Sequence, residues 1–258
     1  MCLIVLAYRS HPDYGLIVGA NRDEFYERPT APASFWEDAP QVLAGRDLRG
    51  GGTWLGITRE GRFAAVTNYR DSSSARAGAP SRGLLVSEFL KGRSHPAAYL
   101  RALAAVADQY NGFSLFVGDS RALYYYSNRE GRIRHLAPGL YGLSNHLLDT
   151  PWPKVERSKQ ALAALIRQNT ARLPEAILGF LADRAQAADV LLPDTGVGLE
   201  RERALSPLFI STPIYGTRSS TVLLVGNNGE VTFYERSFTN PPDEWSDAKY
   251  RFVIETQR

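Results

Sequence analysis

The amino-acid sequence predicts an α+β protein built from two largely antiparallel sheets and two helical layers. Apolar runs of strand length recur in pairs joined by short turns, and segments of helical spacing come in two separate blocks. The resulting order is strands, helices, strands, helices, strands, without the strict alternation of a doubly wound parallel fold. At 258 residues the chain can bury a sizeable core. No low-complexity run, like-charge block or Pro/Ser-rich linker divides it, so residues 1–258 read as a single domain.

The first hairpin joins apolar runs at residues 3–8 and 16–21 through a turn containing Pro12, Asp13 and Gly15. Closing that turn near its middle sets Cys2 opposite Arg22 to within about a residue, with cross-strand neighbours about 5 Å apart. Residues 25–40, rich in Pro, aromatics and charge, read as an irregular excursion, and residues 42–47 as a short strand. Residues 53–58 and 63–68 form a second hairpin, apolar on both faces like the first, which implies a sheet covered on both sides. Residues 71–83 read as a loop, and residues 84–90 and 96–110 carry helical spacing. Strands are expected at 113–117, 123–127, 133–136 and 141–144, then amphipathic helices at 152–168 and 174–187, each with a proline near its start. Strands return at 209–211, 220–225 and 231–236, the last two joined by the turn Gly226-Asn227-Asn228-Gly229.

Composition excludes several classes. A formal charge of +3 and a pI near 9.0, with scattered arginines, argue against a nucleic-acid partner. One cysteine rules out an internal disulfide, and no Asn-X-Ser/Thr sequon occurs, which suits a reducing compartment. No apolar run approaches the roughly twenty residues of a membrane span. The short run at 2–7 lacks the basic flank of a signal peptide. The expectation is a cytoplasmic protein with no transmembrane segment and no leader. His11, His95, His135 and His146 show no metal-ligand spacing, so no structural metal is expected.

The chemistry centres on Cys2, the only cysteine. In an apolar strand such a residue ordinarily packs as a small hydrophobe. Removal of Met1 would instead make it the N-terminal residue, carrying a thiol and an α-amine that titrates near ~7.7 to 8.0 and can serve as a base. The hairpin places Asn21, Arg22 and Asp23 beside it, although a polar strand end with an Arg–Asp pair would look the same. Asn68 and Asn145 each close an apolar strand; they are turn formers or, aimed at a nucleophile, oxyanion donors. Gly50-Gly51-Gly52-Thr53 lacks the lysine of a phosphate-binding loop and reads as a tight turn. His146, next to Asn145, is a candidate acid/base group or haem ligand.

Several motifs in combination resemble one family. They are Met1-Cys2 with its apolar strand, Asn21-Arg22-Asp23-Glu24, residues 51–56 (GGTWLG), residues 66–70 (VTNYR), residues 141–145 (YGLSN) with residues 149–154 (DTPWPK), and Tyr215-Gly216-Thr217-Arg218 before an apolar strand. Over nearly its whole length the sequence is similar to the NRDE family, that of the transport and Golgi organisation protein 2. The resemblance implies the four-layer αββα sandwich of N-terminal nucleophile (Ntn) hydrolases, with cholylglycine hydrolases, penicillin V acylases and related acyltransferases as enzyme relatives. It further implies Cys2 as nucleophile, Asp23 holding the amine, Asn68 and Asn145 on the oxyanion side, and Arg218 as a later active-site arginine. Those hydrolases carry an arginine just before the equivalent of Asn21, where this chain has Ala20 and places Arg22 one step after.

Two functions follow as expectations. One is an N-terminal-cysteine amidohydrolase or acyltransferase that needs no cofactor and acts on a small-molecule amide or thioester, with Asn21 and Arg22 contacting substrate. The other is a non-catalytic carrier of haem or of a lipid or acyl-CoA, with Trp36, Trp54, Tyr69 and His146 along its cleft. The resemblance brings in haem trafficking and lipid homeostasis for the second.

Overall fold

The computed structural model describes residues 2–71, 76–168, 170, 172–239 and 244–255. Its elements in chain order are β1 (Cys2–Tyr8), β2 (Tyr14–Phe25), β3 (Thr30–Trp36), β4 (Ala39–Asp47), β5 (Leu55–Thr58) and β6 (Phe63–Asn68). Helices α1 (Gly83–Lys91) and α2 (Pro96–Ala104) follow, then β7 (Phe113–Gly118), β8 (Leu123–Ser127), β9 (Ile133–His135) and β10 (Gly139–Leu143). The chain continues through α3 (Pro153–Arg167), α4 (Leu173–Leu181), α5 (Leu199–Leu205), β11 (Tyr215–Gly226), β12 (Glu230–Thr239) and β13 (Glu244–Val253). Two antiparallel sheets and five helices make up the described residues, the α+β class that the sequence predicts.

Contacts gather the chain into two compact units. The first holds the residues up to Glu27, Pro138–Ser144 and Leu148–Arg251. Its six-stranded sheet has the order β10-β1-β2-β11-β12-β13, so strands from both ends of the chain flank β2. Leu3, Val5, Ala7 and Ile17 line one face and pack on Leu162 of α3 and on Ile177, Leu178 and Leu181 of α4. Fully burying each such side chain stabilises by about 1.5–3 kcal/mol. Gly19 lets α4 settle against β2, because a Cβ there would meet Ile177 Cγ2 at 2.7 Å. Proline sits in the first turn of both α3 and α4, where its missing N–H costs no helical hydrogen bond.

The second unit holds Arg28–Ala137, Asn145–Leu147 and the chain from Phe252 on. Its seven-stranded sheet runs β3-β4-β5-β6-β7-β8-β9, each strand beside its sequence neighbour, with α1 on β4 to β6 and α2 on β8 and β9. Phe63, Phe113 and Phe116 are among its fully buried side chains.

Five segments depart from the sequence reading. Within residues 25–40, Thr30–Trp36 is an edge strand; Pro32 is tolerated there, and register shifts on both sides of the 34–35 pairing blur its alternation. Residues 209–211 form no strand but a single bridge between Ser211 and Gly216, and their apolar character reflects burial of Phe209 and Ile210. Strand β13 is mostly exposed and α5 is short and charged, so neither carries an apolar pattern. The helix expected over 96–110 ends at Ala104, and a single 3-10 turn at Ala107–Gln109 follows.

Candidate active site

The β1–β2 register sets Cys2 directly opposite Arg22 and Leu3 opposite Asn21. Strand alternation therefore places Cys2, Ala20 and Arg22 on one face, while Leu3, Asn21 and Asp23 lie on the face that meets α3 and α4. Arg22 and Ala20 share a face, so the guanidinium one step past Asn21 still emerges on the cysteine side.

Asn21 is completely buried and its side chain is committed. Its Nδ2 donates to the Leu181 carbonyl at 2.9 Å and the Leu208 carbonyl at 2.8 Å, and its Oδ1 accepts from Ser220 Oγ at 2.7 Å. The residue ties β2 to the end of α4, to the segment at Leu208 and to β11.

Asp23 is the pivot of this unit. It follows Arg22, the residue paired with Cys2 across β1 and β2. One carboxylate oxygen accepts from Thr217 Oγ1 at 2.7 Å, and the other lies 4.0 Å from Nζ of Lys154, in the first turn of α3. Both side chains of that ion pair are buried, at 0% and 2% exposure. Burial pushes the Asp23 carboxyl above the ordinary aspartate range, and the Lys154 ammonium is the strongest influence in the other direction. The Cys2 residue reaches solvent in part, yet burial around its sulfur raises the thiol, as does the Asp23 charge, while the charge of Arg22 pulls it down.

Across from Asp23, β11 carries a bulge. Thr217 pairs with Asp23 and Ser219 with Arg22, leaving Arg218 as the extra residue. Its guanidinium donates to the carbonyls of Phe25 at 2.9 Å and Tyr26 at 3.0 Å. Burial and then repulsion from Arg22 hold it below the usual arginine range, so two cations stand close together beside the thiol strand. Glu235 on β12 is also buried; its carboxylate accepts from Ser237 Oγ at 3.1 Å and Thr221 Oγ1 at 3.4 Å. Thr221 pairs with Ala20, so this carboxylate belongs to the cysteine-bearing face.

The other predicted residues lie in the second unit. Asn145 is buried at a left-handed φ of 56°, a conformation asparagine accepts more readily than most residues. Its Nδ2 donates to the Asn68 carbonyl at 3.0 Å and its own carbonyl accepts from Arg70 N–H at 2.7 Å, clipping the loop after β10 onto the end of β6. Tyr69 OH and His146 Nε2 are 2.7 Å apart, with the rings 4.7 Å centre to centre. Ser114 Oγ donates to the His146 carbonyl at 2.8 Å and lies 3.1 Å from Tyr125 OH. Burial, then the charge of Arg70, lowers the His146 pKa and favours the neutral ring. Trp36 and Trp54 are both buried, with Trp36 Nε1 donating to the Ala44 carbonyl at 3.0 Å.

Cys2, Asn21, Arg22, Asp23 and Arg218 thus gather in the first unit, and Asn68, Tyr69, Asn145 and His146 in the second. Trp36 and Trp54 belong to the packed interior of the second unit. Sequence reasoning misses Lys154, Thr217 and Glu235. The one signal for Lys154 is its place in Pro151-Trp152-Pro153-Lys154, a helix start where a lysine opposes the positive end of the helix dipole. Met1, whose removal the nucleophile reading requires, lies outside the described residues. Among the described residues no helix is long and apolar enough to cross a membrane.

The fold has counterparts among solved structures. The conjugated bile acid hydrolase from Clostridium perfringens, determined as a mutant, matches over 100% of this chain and 97% of its own with a TM-score of 0.51 at 9% identity. The Caenorhabditis elegans ortholog of N-acylethanolamine-hydrolyzing acid amidase matches over 86% and 92% with a TM-score of 0.50 at 12% identity. At these identities the likeness is one of fold, that of the Ntn hydrolases. Sequence relatives are nearer. The transport and Golgi organization protein 2 homolog of Bos taurus is 37% identical over 277 residues, covering 99% of this chain and 100% of the relative. The Drosophila melanogaster protein of the same name is 28% identical over 95% of this chain. The family model described as Transport and Golgi organisation 2 matches residues 1–240. The chain therefore belongs to the Transport and Golgi organisation 2 family, the NRDE family of the sequence motifs.

Proposed function

We propose that the chain is a cysteine Ntn amidohydrolase or acyltransferase that acts on an amide or thioester. The observation that carries this reading is the β1–β2 pairing, which sets Cys2 opposite Arg22 and next in register to Asp23, whose carboxylate is fixed by Thr217 and Lys154. A nucleophile and an anchored carboxylate then stand at the open end of one hairpin, where an α-amine freed by loss of Met1 would emerge.

In this mechanism the α-amine of Cys2 takes the thiol proton and the thiolate attacks the substrate carbonyl carbon. The tetrahedral intermediate collapses with cleavage of the C–N or C–S bond, and the α-ammonium returns its proton to the departing amine or thiol. Water or another acceptor nucleophile then cleaves the acyl-thioester, releasing Cys2. Asp23 holds the amine, and Arg22 and Arg218 attract an anionic group on the substrate. The resemblance assigns oxyanion donation to Asn68 and Asn145, and substituting each tests that role separately.

The test is incubation of the protein with an acyl-thioester or β-lactone probe, followed by peptide mapping. The expected result is one acyl adduct on Cys2, absent from Cys2→Ala. No adduct on the wild-type protein would overturn the reading and leave the family's alternative, a non-catalytic haem or acyl-lipid carrier, to be tested by haem titration of the Cys2→Ala protein.

A further inference from the structure

We propose that Lys154 is a positioning residue that sets the charge of Asp23 and, through it, the proton balance at Cys2. This deepens the nucleophile reading and rests on it for its catalytic consequence, but its physical content concerns the Cys2–Asp23–Lys154 arrangement alone.

Three observations point the same way. Lys154 is almost completely buried, which lysine rarely is without an anionic partner, and the partner within reach is the Asp23 carboxylate at 4.0 Å. Its location is wrong for a helix: a lysine in the first turn faces the positive end of the dipole, and Glu156 already supplies the acidic residue that such a turn favours. A position that breaks a local rule at buried cost is where function is expected. Finally, α3 packs on β1 and β10, the strands that carry and flank Cys2, and its first turn brings Lys154 to Asp23 on the adjoining β2.

The charged groups facing this centre are Arg22 and Asp23 on β2, Arg218 on β11 and Lys154 on α3. Of these, Lys154 lies 4.0 Å from the Asp23 carboxylate. It therefore acts on the thiol indirectly and with a sign opposite to that of an ordinary neighbouring cation. While Lys154 is charged, it favours the Asp23 carboxylate, and that negative charge holds the thiol protonated and strengthens an α-amine as a base. Without Lys154 the buried carboxyl takes up a proton, the thiol is relieved of an adjacent anion, and the amine loses its counter-charge.

The test is the pH profile of Cys2 alkylation by iodoacetamide, read by intact mass, in wild type, Lys154→Met, Asp23→Asn and the double variant. Asp23→Asn and Lys154→Met each move the profile to lower pH, and adding Lys154→Met to Asp23→Asn produces no further shift. A Lys154→Met profile that is unchanged or moves to higher pH would overturn the proposal, as would a further shift in the Asp23→Asn background. If Lys154→Met alone does not fold, the comparison of Asp23→Asn with the double variant, from which both buried charges are gone, carries the test. Because alkylation needs no substrate, a failure here is separate from a failure to acylate Cys2.

Discussion

The two clusters of polar residues differ in what holds them. Around Cys2 the buried groups are ionisable: a thiol, the Asp23 carboxylate, the Lys154 ammonium and, two strands beyond Asp23, Glu235 on β12. Around Asn145 they are neutral donors and acceptors that satisfy one another, amide to carbonyl and phenol to imidazole. Buried charge rarely stabilises a fold against an apolar substitute, whereas a paired neutral network does its work at little cost. Under the nucleophile proposal the first cluster moves protons, whereas the second holds two chain segments in register and, by the family resemblance, offers Asn68 and Asn145 as oxyanion donors. Mutations should separate them: changes near Cys2 shift its proton affinity, and changes near Asn145 lower stability without shifting it.

The largest effect is expected from Cys2→Ala, which should lower acyl turnover by about 10³-fold or more while leaving stability within roughly 1 kcal/mol. Activity retained in Cys2→Ala would erase the distinction between the clusters. Next comes the buried pair. Lys154→Met alone should destabilise by about 3–5 kcal/mol, but the Asp23→Asn/Lys154→Met double variant should match or exceed wild-type stability, both read by denaturant unfolding. The same pair gives a pH signature. Because the folded Asp23 carboxyl lies above its ordinary value, the folded state binds the extra proton between the two values, and stability falls as pH rises through that window. The double variant should flatten that fall.

Smaller effects belong to the second unit. Asn145→Ala removes the donor to the Asn68 carbonyl and puts alanine at a left-handed φ, which should cost about 1–3 kcal/mol. Asn145→Gly, free of the backbone strain, should cost less, and equal costs would mean the conformation is not strained. His146 should show the weakest signal. Its folded pKa lies below the ordinary histidine value, so the unfolded chain binds the extra proton between them, and stability drops as pH falls through that range. His146→Gln should shallow the drop slightly in thermal melts from pH 7 to 5.

Much of the first cluster was legible because it rests on local rules. A turn of Pro, Asp and Gly and two apolar runs are enough to count Cys2 onto Arg22, and the pairing is found at that register. Strand alternation also separates Asn21 and Asp23 from Cys2 and Arg22 without any tertiary information. Lys154 was not legible. A lysine beside Pro153 reads as a solvated helix start, and only the packing of α3 against β1 and β10 brings it to Asp23. The bulge that singles out Arg218 comes from an unequal residue count between β2 and β11, which lie far apart in sequence. Edge strands β3 and β13 escaped for a simpler reason: an edge needs no apolar alternation, and Trp245 on β13 is stacked by Arg236 rather than buried.

The central claim is that Cys2 acts with its own α-amine as base. Intact mass of the protein isolated from its native host tests this most directly. The expected result is a population lacking Met1, with Cys2 at the N-terminus and the acyl adduct confined to that population. Met1 retained in every molecule would contradict it, whatever the reactivity of the thiol.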